Sequence, residues 1–500
     1  MPVLLLQLLV FGAYTLALVF LAGEAFNWKE DRRLFYVGGN RITLVPMVGT
    51  FVATWMSAAS VLGYTMWLYT DGYVAFTGSV NGWLIGLVLM PFIVKKLRAS
   101  RALSLPQWLG EAFGDPRLRS LSALALLGAY TFYMVIQFRA FGTIVATLLD
   151  IKVIVASALV YLFVLYTTFG GLPSVARSDT LNLALILGGV TFAAAALLGR
   201  AGSLGAVHAV IAGRAPEMLH PWTRGWSPLV TTLMMLSWGL GVAANPQYAI
   251  RLLSARTTRD AYNTLALSSL IIGAIYAGLT ILGLSAFALA PYVRAASDEL
   301  AFTRLFSMVL PPVPALALFL AVLAAAVSTA NSQLLLAACS LCYDLSPRQG
   351  RNRGDLVTED RFLFRNRLAI AAIATAALAL SQFRLPGVLL IGRYSWTVVA
   401  ICFFLPLYVI RTPRPRGLFV PLSAALVLHL FLTVGLRLLP ELALLPALAL
   451  EALLYFRPWG KADEAAQAAE HRDPHQGHPH RHRHRPDGPH RGNGADAGLP

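Results

Sequence analysis

Phe51-Val-Ala-Thr-Trp-Met-Ser57-Ala-Ala59-Ser60-Val61-Leu62-Gly63-Tyr64-Thr65 lies inside an apolar run from about residue 43 to 69. Such a run is long enough to cross a bilayer core roughly 30 Å thick, which takes about 20 helical residues. A plain lipid-spanning helix needs neither this crowd of hydroxyl and small side chains nor a glycine at mid-depth. Small residues let neighbouring helices pack closely, which is one reading. The other is a discontinuous helix, in which a turn unwound between Ala59 and Gly63 frees carbonyls to face a cation and amides to face an anion. The whole chain agrees with a membrane setting. It has 500 residues, 57% hydrophobic and 13% charged, with a mean hydropathy of +0.64, whereas an average soluble domain is about a quarter charged. A soluble globular enzyme is excluded. The apolar blocks are continuous and too long for the alternating strands of an outer-membrane barrel, so the class is an all-α polytopic membrane protein.

Apolar blocks recur at about 3 to 22, 43 to 69, 73 to 94, 120 to 148, 152 to 169, 180 to 199, 229 to 250, 262 to 290, 312 to 343, 368 to 383, 387 to 410, 417 to 436 and 439 to 456, predicting about 13 membrane helices. The first lacks a basic leading region and a small-residue cleavage site, so it is expected to be retained. The net charge of +16 sits in short connections and does not point to nucleic acid; the bilayer is the expected partner. With the N-terminus outside, the inner loops hold 23 Lys and Arg against 8 in the outer loops, the tail excluded; Arg251, Arg256 and Arg259 are counted in one inner loop. That bias puts the N-terminus outside and the C-terminus in the cytoplasm of a multi-pass protein of the cell membrane. Cys339, Cys342 and Cys402 are too few for a disulfide framework, and Cys339 and Cys342 lack further zinc ligands, so they read as helix packing. Residues 460 to 500 are rich in His, Arg, Asp, Gly and Pro and are expected to be disordered. Their His478, His480, His482 and His484 could hold a transition metal loosely. A solvated cationic tail near anionic headgroups is the plainer reading.

The ninth block contains Ala324-Ala-Ala-Val-Ser328-Thr329-Ala-Asn331-Ser332-Gln333. Polar groups at membrane depth are costly unless paired with one another, with backbone or with a ligand. The hydroxyls of Ser328 and Thr329, the carbonyl of Ala325 one turn earlier, and the carbonyls of Ala59 and Leu62 together offer five oxygens. An oxygen-only set without a carboxylate suits sodium, a monovalent cation that must also leave. Arg139, inside the fourth block, either meets a carboxylate substrate or snorkels to the outer interface. No His, Asp and Glu residues cluster at membrane depth for acid–base chemistry, so an enzyme is not expected.

Tyr166-Thr167-Thr-Phe-Gly170-Gly171-Leu-Pro-Ser-Val-Ala-Arg177-Ser178-Asp179-Thr-Leu-Asn182 resembles the Y-T-x-x-G-G-x-x-A-V-x-x-T-D-x-x-Q signature of the sodium/solute symporter family, with Ser and Asn as substitutions. Ser328-Thr329-x-x-Ser332-Gln333 resembles that family's ninth-helix S-T-x-x-S-Q run, and Trp238-Gly-Leu-Gly241-Val-Ala-Ala-Asn245-Pro246-Gln247 its seventh-helix W-G-L-G-x-x-x-Q-P-H run. Met56-Ser57-Ala-Ala59-Ser60 is similar to the second helix of acetate-type members. The resemblance covers roughly residues 3 to 457 and implies a core of five plus five inverted-repeat helices, with helices 2 and 7 broken. Its organisation is then an N-terminal extra helix and loop (1–42), a first repeat (43–199), a second repeat (200–410), two C-terminal helices (411–459) and the tail (460–500).

The resemblance carries the sodium site onto Ala59, Leu62, Ala325, Ser328 and Thr329. It also puts Asp179, beside Ser178, at the cytoplasmic end of helix 6, where it assists sodium passage. The alternative is a capping or loop-pairing aspartate beside Arg177. The substrate cavity is implied near the midplane, with Tyr64, Thr65, Tyr133, Gln137, Trp238 and Val242 as candidates and Arg139 as a carboxylate partner. Proline carriers have an aspartate where Val61 stands and a tyrosine where Val242 stands. Helix 2 looks more like acetate-type carriers, and Val135-Ile-Gln137-Phe138 like pantothenate-type ones. The expected function is a sodium-coupled importer of a small organic acid, monocarboxylate or pantothenate-like. A proline-type symporter and a non-transporting sodium or solute sensor are the rivals.

Overall fold

The computed structural model describes residues 2–24, 31–223, 225–293, 298–346, 356–383 and 388–457. The chain is a nearly all-helical membrane protein. Among the described residues the only β-type pairings are two isolated bridges, Ile42 with Ala255 and Thr223 with Trp226. Within those described residues, eight helices are long and apolar enough to cross a bilayer, or ten if each of two bent pairs is one span. The main helices are α1 (Pro2–Gly23), α2 (Leu44–Trp55), α3 (Ala59–Asp71), α4 (Tyr73–Leu89), α5 (Pro91–Ser100), α6 (Pro116–Leu149), α7 (Val153–Phe169) and α8 (Gly171–Ala201). They continue as α9 (Pro228–Ala243), α10 (Pro246–Ser254), α11 (Thr258–Leu289), α12 (Pro312–Cys339), α13 (Leu356–Ser381), α14 (Val388–Phe404), α15 (Phe419–Leu430) and α16 (Pro440–Phe456). The tail from residue 460, with its histidines, lies outside the described residues.

The span containing α12 is the hub, 89% buried, and α6, α7, α8 and α2 pack around it. Its alanines at 324, 325, 326 and 330 keep that centre narrow, and small contact residues let helix backbones approach. On the facing helix, a Cβ at Gly189 would sit 2.3 Å from the Ala317 carbonyl oxygen, so only glycine permits this contact. The three cysteines are free and buried.

The predicted break in the second helix exists, but a few residues earlier. α2 and α3 are bent by 55°. The bend falls at Met56 to Ala58, where Met56 is extended (φ −80°, ψ 102°), whereas Ala59–Gly63 winds into a π-type turn. The physical reason is capping. The Ser57 hydroxyl accepts the Ser60 N–H at 3.1 Å, and Gln137 Oε1 of α6 accepts the Ala58 N–H at 3.1 Å, so the new helix starts there. The seventh block is interrupted too. Asn245 Oδ1 accepts the Gln247 N–H at 3.0 Å and the Tyr130 hydroxyl at 2.7 Å, and Pro246 opens α10. The freed Ala243 carbonyl accepts the Tyr408 hydroxyl at 2.8 Å. A second bend, 50° between α4 and α5 at Pro91, falls inside what the sequence predicts as one helix over 73 to 94.

Helix α8 starts at Gly171, well before the predicted residue 180. Gly171 has φ +65°, and a Cβ there would meet the Phe35 carbonyl oxygen at 2.7 Å, which accounts for glycine at this turn. Asp179 is therefore inside a helix.

Candidate functional site

Polar side chains from α2, α8, α10 and α12 stack in layers beside the break. In the central layer, the Ser328 hydroxyl donates to the carbonyl oxygens of Ala53 (2.7 Å) and Ala325 (3.1 Å). The Thr329 hydroxyl donates to those of Thr54 and Met56, both at 3.3 Å. Uncharged oxygens from α12 and from the frayed end of α2 thus converge on one spot. The two amides of the α12 polar run are each paired through one atom: Asn331 Oδ1 accepts the Thr167 hydroxyl at 2.7 Å, and Gln333 Nε2 donates to Gln247 Oε1 at 3.2 Å, while Asn331 Nδ2 and Gln333 Oε1 have no hydrogen-bond partner among the described residues.

Ala325, Ser328 and Thr329 are therefore together as expected, but the α2 oxygens differ from those read in the sequence. The α2 carbonyls that meet the two hydroxyls are those of Ala53, Thr54 and Met56, not those of Ala59 and Leu62. The Ala59 carbonyl accepts the Tyr64 N–H within the π-type turn, and Ala59 itself lines the cavity described below. Leu62 is buried in the same turn. The shift follows from the break falling before Ser57.

Toward the end carrying the basic loops lies a layer built on Arg251 and Asp179, which are 1% and 0% exposed. Arg251 donates to the Gln247 carbonyl at 2.5 Å, the Thr54 hydroxyl at 2.5 Å, the Thr50 carbonyl at 3.2 Å and the Ser332 hydroxyl. Its guanidinium is 3.9 Å from Asp179 Oδ2, which accepts the Thr50 hydroxyl at 2.6 Å. The sequence reading put Arg251 in a loop; α10 carries it inward instead. Asp179 is no cap, and Arg177 pairs elsewhere, with Glu24 at 3.0 Å. The Ser178 hydroxyl is engaged with the Val175 carbonyl of its own helix at 3.0 Å.

On the other side of the break is an aromatic cavity. Of the residues expected there, Tyr133, Trp238 and Val242 line it, and so does Ala59, which was expected at the sodium site. Trp55, Trp83, Tyr248, Tyr276 and Trp396 also line it and were not foreseen, although Trp55 lies within the quoted second-helix stretch. Trp396 links the walls, with ring centroids 5.7 Å from Trp238, 5.9 Å from Tyr248 and 6.4 Å from Tyr133. The Tyr133 hydroxyl is 3.0 Å from Ser57 Oγ, joining cavity to break. The free volume is about 10 Å³, the room of roughly one water, so the walls must part before a solute enters. The buried Nε1–H of Trp238 has no hydrogen-bond partner among the described residues, and neither has Gln137 Nε2.

Three candidates are otherwise engaged. The Tyr64 hydroxyl is 2.8 Å from Thr280 Oγ1, and Thr65 donates to the Val61 carbonyl at 2.5 Å. Arg139 pairs with buried Glu299 at 3.2 Å, which explains a cation at this depth without a ligand.

Discontinuous helices around a mid-depth cavity, inside a multi-pass helical bundle, define a membrane transporter. The chain belongs to the sodium:solute symporter family, whose description matches residues 35–414. Among its relatives, the high-affinity proline transporter PutP of Bacillus subtilis (strain 168) is 26% identical over 388 residues, 74% of this chain and 80% of that one. The monocarboxylic acid transporter of Corynebacterium glutamicum is 25% identical over 303 residues, 56% of this chain and 54% of that one. A Na+-coupled sialic acid symporter, solved substrate-bound and outward-open, shares the fold with a TM-score of 0.74 at 17% identity, covering 91% of this chain and 98% of that one.

Proposed function

We propose that this symporter imports a small organic acid, a monocarboxylate or a pantothenate-like compound, together with sodium by alternating access. The observation that carries this reading is the unpartnered Trp238 Nε1–H in a cavity whose lining, among the described residues, includes no acidic side chain. A buried donor without an acceptor is costly, and a carboxylate oxygen would satisfy it. A zwitterion would need an acceptor for its ammonium group as well. The monocarboxylate carrier among the relatives supports this reading. The proline transporter supports a second one, a sodium-coupled proline symporter, whose solute also has a carboxylate.

Sodium, as co-substrate, is proposed to bind the carbonyls of Ala53, Met56 and Ala325 and the hydroxyls of Ser328 and Thr329, exchanging their mutual hydrogen bonds for ion–oxygen contacts. Bound there, it would hold α2 against α12 and favour the form open to the outside. Raising solute affinity in this way requires the solute to raise sodium affinity by the same factor. Asp179 then stands on the route to the cytoplasm. The proposed organisation keeps residues 43–199 and 200–410 as inverted repeats, with the N-terminus outside and the basic loops in the cytoplasm.

The test is uptake into proteoliposomes of labelled acetate, pyruvate, lactate, pantothenate and proline, first with an imposed sodium gradient and then with a proton gradient. Sodium-driven accumulation of one organic acid is expected. Accumulation of proline alone would overturn the organic-acid reading, and sodium-dependent binding without accumulation would make the protein a sensor.

A further inference from the structure

Arg393 of α14 lies one turn before the cavity residue Trp396, and its neighbour Gly392 rests on the Tyr133 ring, which a Cβ would approach to 3.3 Å. Its Nε is 3.0 Å from Oε1 of Glu441 on α16, and both side chains are buried. The guanidinium also faces two rings, Trp67 of α3 at 5.3 Å and Trp226 at 6.0 Å. Trp226 in turn donates to Asp71 at the end of α3, at 3.2 Å. The Glu441 carbonyl accepts the hydroxyl of Ser237, which precedes Trp238, at 2.6 Å. The pair therefore ties α3, α9, α14 and α16 together on the cavity side remote from Arg251.

The chemistry of the pair is unusual for so buried a site. Among the described residues neither Glu441 carboxylate oxygen has a hydrogen bond of good geometry; charge alone attaches it to Arg393. A buried ion pair recovers the cost of its desolvation only when the remaining lone pairs are satisfied. Another carboxylate that meets the guanidinium side-on with two parallel hydrogen bonds is the better partner. The Trp67 and Trp226 faces would keep the cation in place during the exchange.

We infer that Arg393 and Glu441 form an outer latch over the cavity, and that the entering solute's carboxylate replaces Glu441 on Arg393. Glu441 is released, α14 and α16 part, and the solute passes on toward Trp238. The inference rests on the carboxylate reading above and would hold for an organic acid or for proline, since both carry the group.

The experiment measures KM and turnover in proteoliposomes for whichever of the five solutes accumulates, in the wild type, R393Q, E441Q and the exchange R393E/E441R. R393Q is expected to raise KM at least about tenfold, because the solute's carboxylate loses its charge-assisted hydrogen bonds to the guanidinium. E441Q is expected to lower it about fivefold by removing the competitor. The exchange restores the ion pair but presents a carboxylate to the solute, so KM should stay at least as high as in R393Q. A wild-type KM in the exchange variant would make the pair a structural clamp and overturn the latch. If R393Q does not fold, E441Q and the exchange still decide. Accumulation of none of the five solutes overturns the carboxylate reading and the latch with it. Accumulation with unmoved KM in E441Q and the exchange overturns the latch alone.

Discussion

The cavity lies between two buried arginines that are held in opposite ways. Arg251, on the inner side in the proposed orientation, donates to four residues besides facing Asp179, and these bonds stitch α2, α10 and α12 together. Arg393, on the outer side in the proposed orientation, has one carboxylate and two indole faces. A cation whose donors are taken up by fixed neighbours is part of the framework. One whose attachment is mainly charge can change partners. In this conformation the Arg251 side, inner in the proposed orientation, is the better sealed, and the Arg393 side is where the charge of the proposed solute can compete.

The largest expected effect tests the inner half of that contrast. Arg251→Gln leaves Asp179 buried without its cation and several hydroxyls without their donor, a change that typically costs about 3–5 kcal/mol. The expected outcome is a large drop in thermal stability in detergent, or no folded protein. A variant melting within a few degrees of the wild type would show that the inner layer opens as readily as the outer one. Between the two arginines, Ser328→Ala and Thr329→Ala each remove one of the proposed sodium oxygens. Each should raise the sodium concentration for half-maximal uptake about tenfold, equivalent to about 1.4 kcal/mol, while solute KM at saturating sodium changes little. Unchanged sodium dependence in both would remove the site from this layer.

Much of this arrangement was legible in the sequence, and the errors have a common cause. The all-helical membrane class follows from composition, and the S-T-x-x-S-Q run marks α12 because polar side chains at that depth need partners. The register of the break was missed. Ala59 and Leu62 lie near the glycine that suggested unwinding, whereas the turn is set by Ser57 and by Gln137, which reaches across from another helix. Arg139 was legible as an anomaly, but its partner Glu299 is 160 residues away in sequence. Arg251 was hidden by sitting just past an apolar block, where an arginine resembles any loop cation. The cavity's aromatic lining comes from seven separate helical segments, and no local pattern announces it.

A smaller effect is expected at the cavity itself. Trp238→Phe keeps an aromatic side chain and removes the unpartnered Nε1–H, so solute KM should rise about fivefold, equivalent to about 1 kcal/mol, with sodium dependence retained. An unchanged KM would mean that the donor does not meet the solute, and the case for a carboxylate there would rest on Arg393 alone.

The smallest effect concerns Thr65, on the outer half of the broken helix. Its hydroxyl donates to the Val61 carbonyl at 2.5 Å, one turn back, and it is fully buried. This is the usual back-bond of a helical threonine, and valine has nearly the same shape. Thr65→Val should therefore change stability and solute KM by no more than about 0.5 kcal/mol, as for substitutions outside any special contact. Uptake kinetics check this directly. A tenfold rise in KM would show that the hydroxyl leaves Val61 when the outer side opens and turns to the solute. The rearrangement would then extend from the Arg393 latch down α3 to the break, and the outer side would differ from the inner one as a whole helix that repacks, not as a single exchangeable pair.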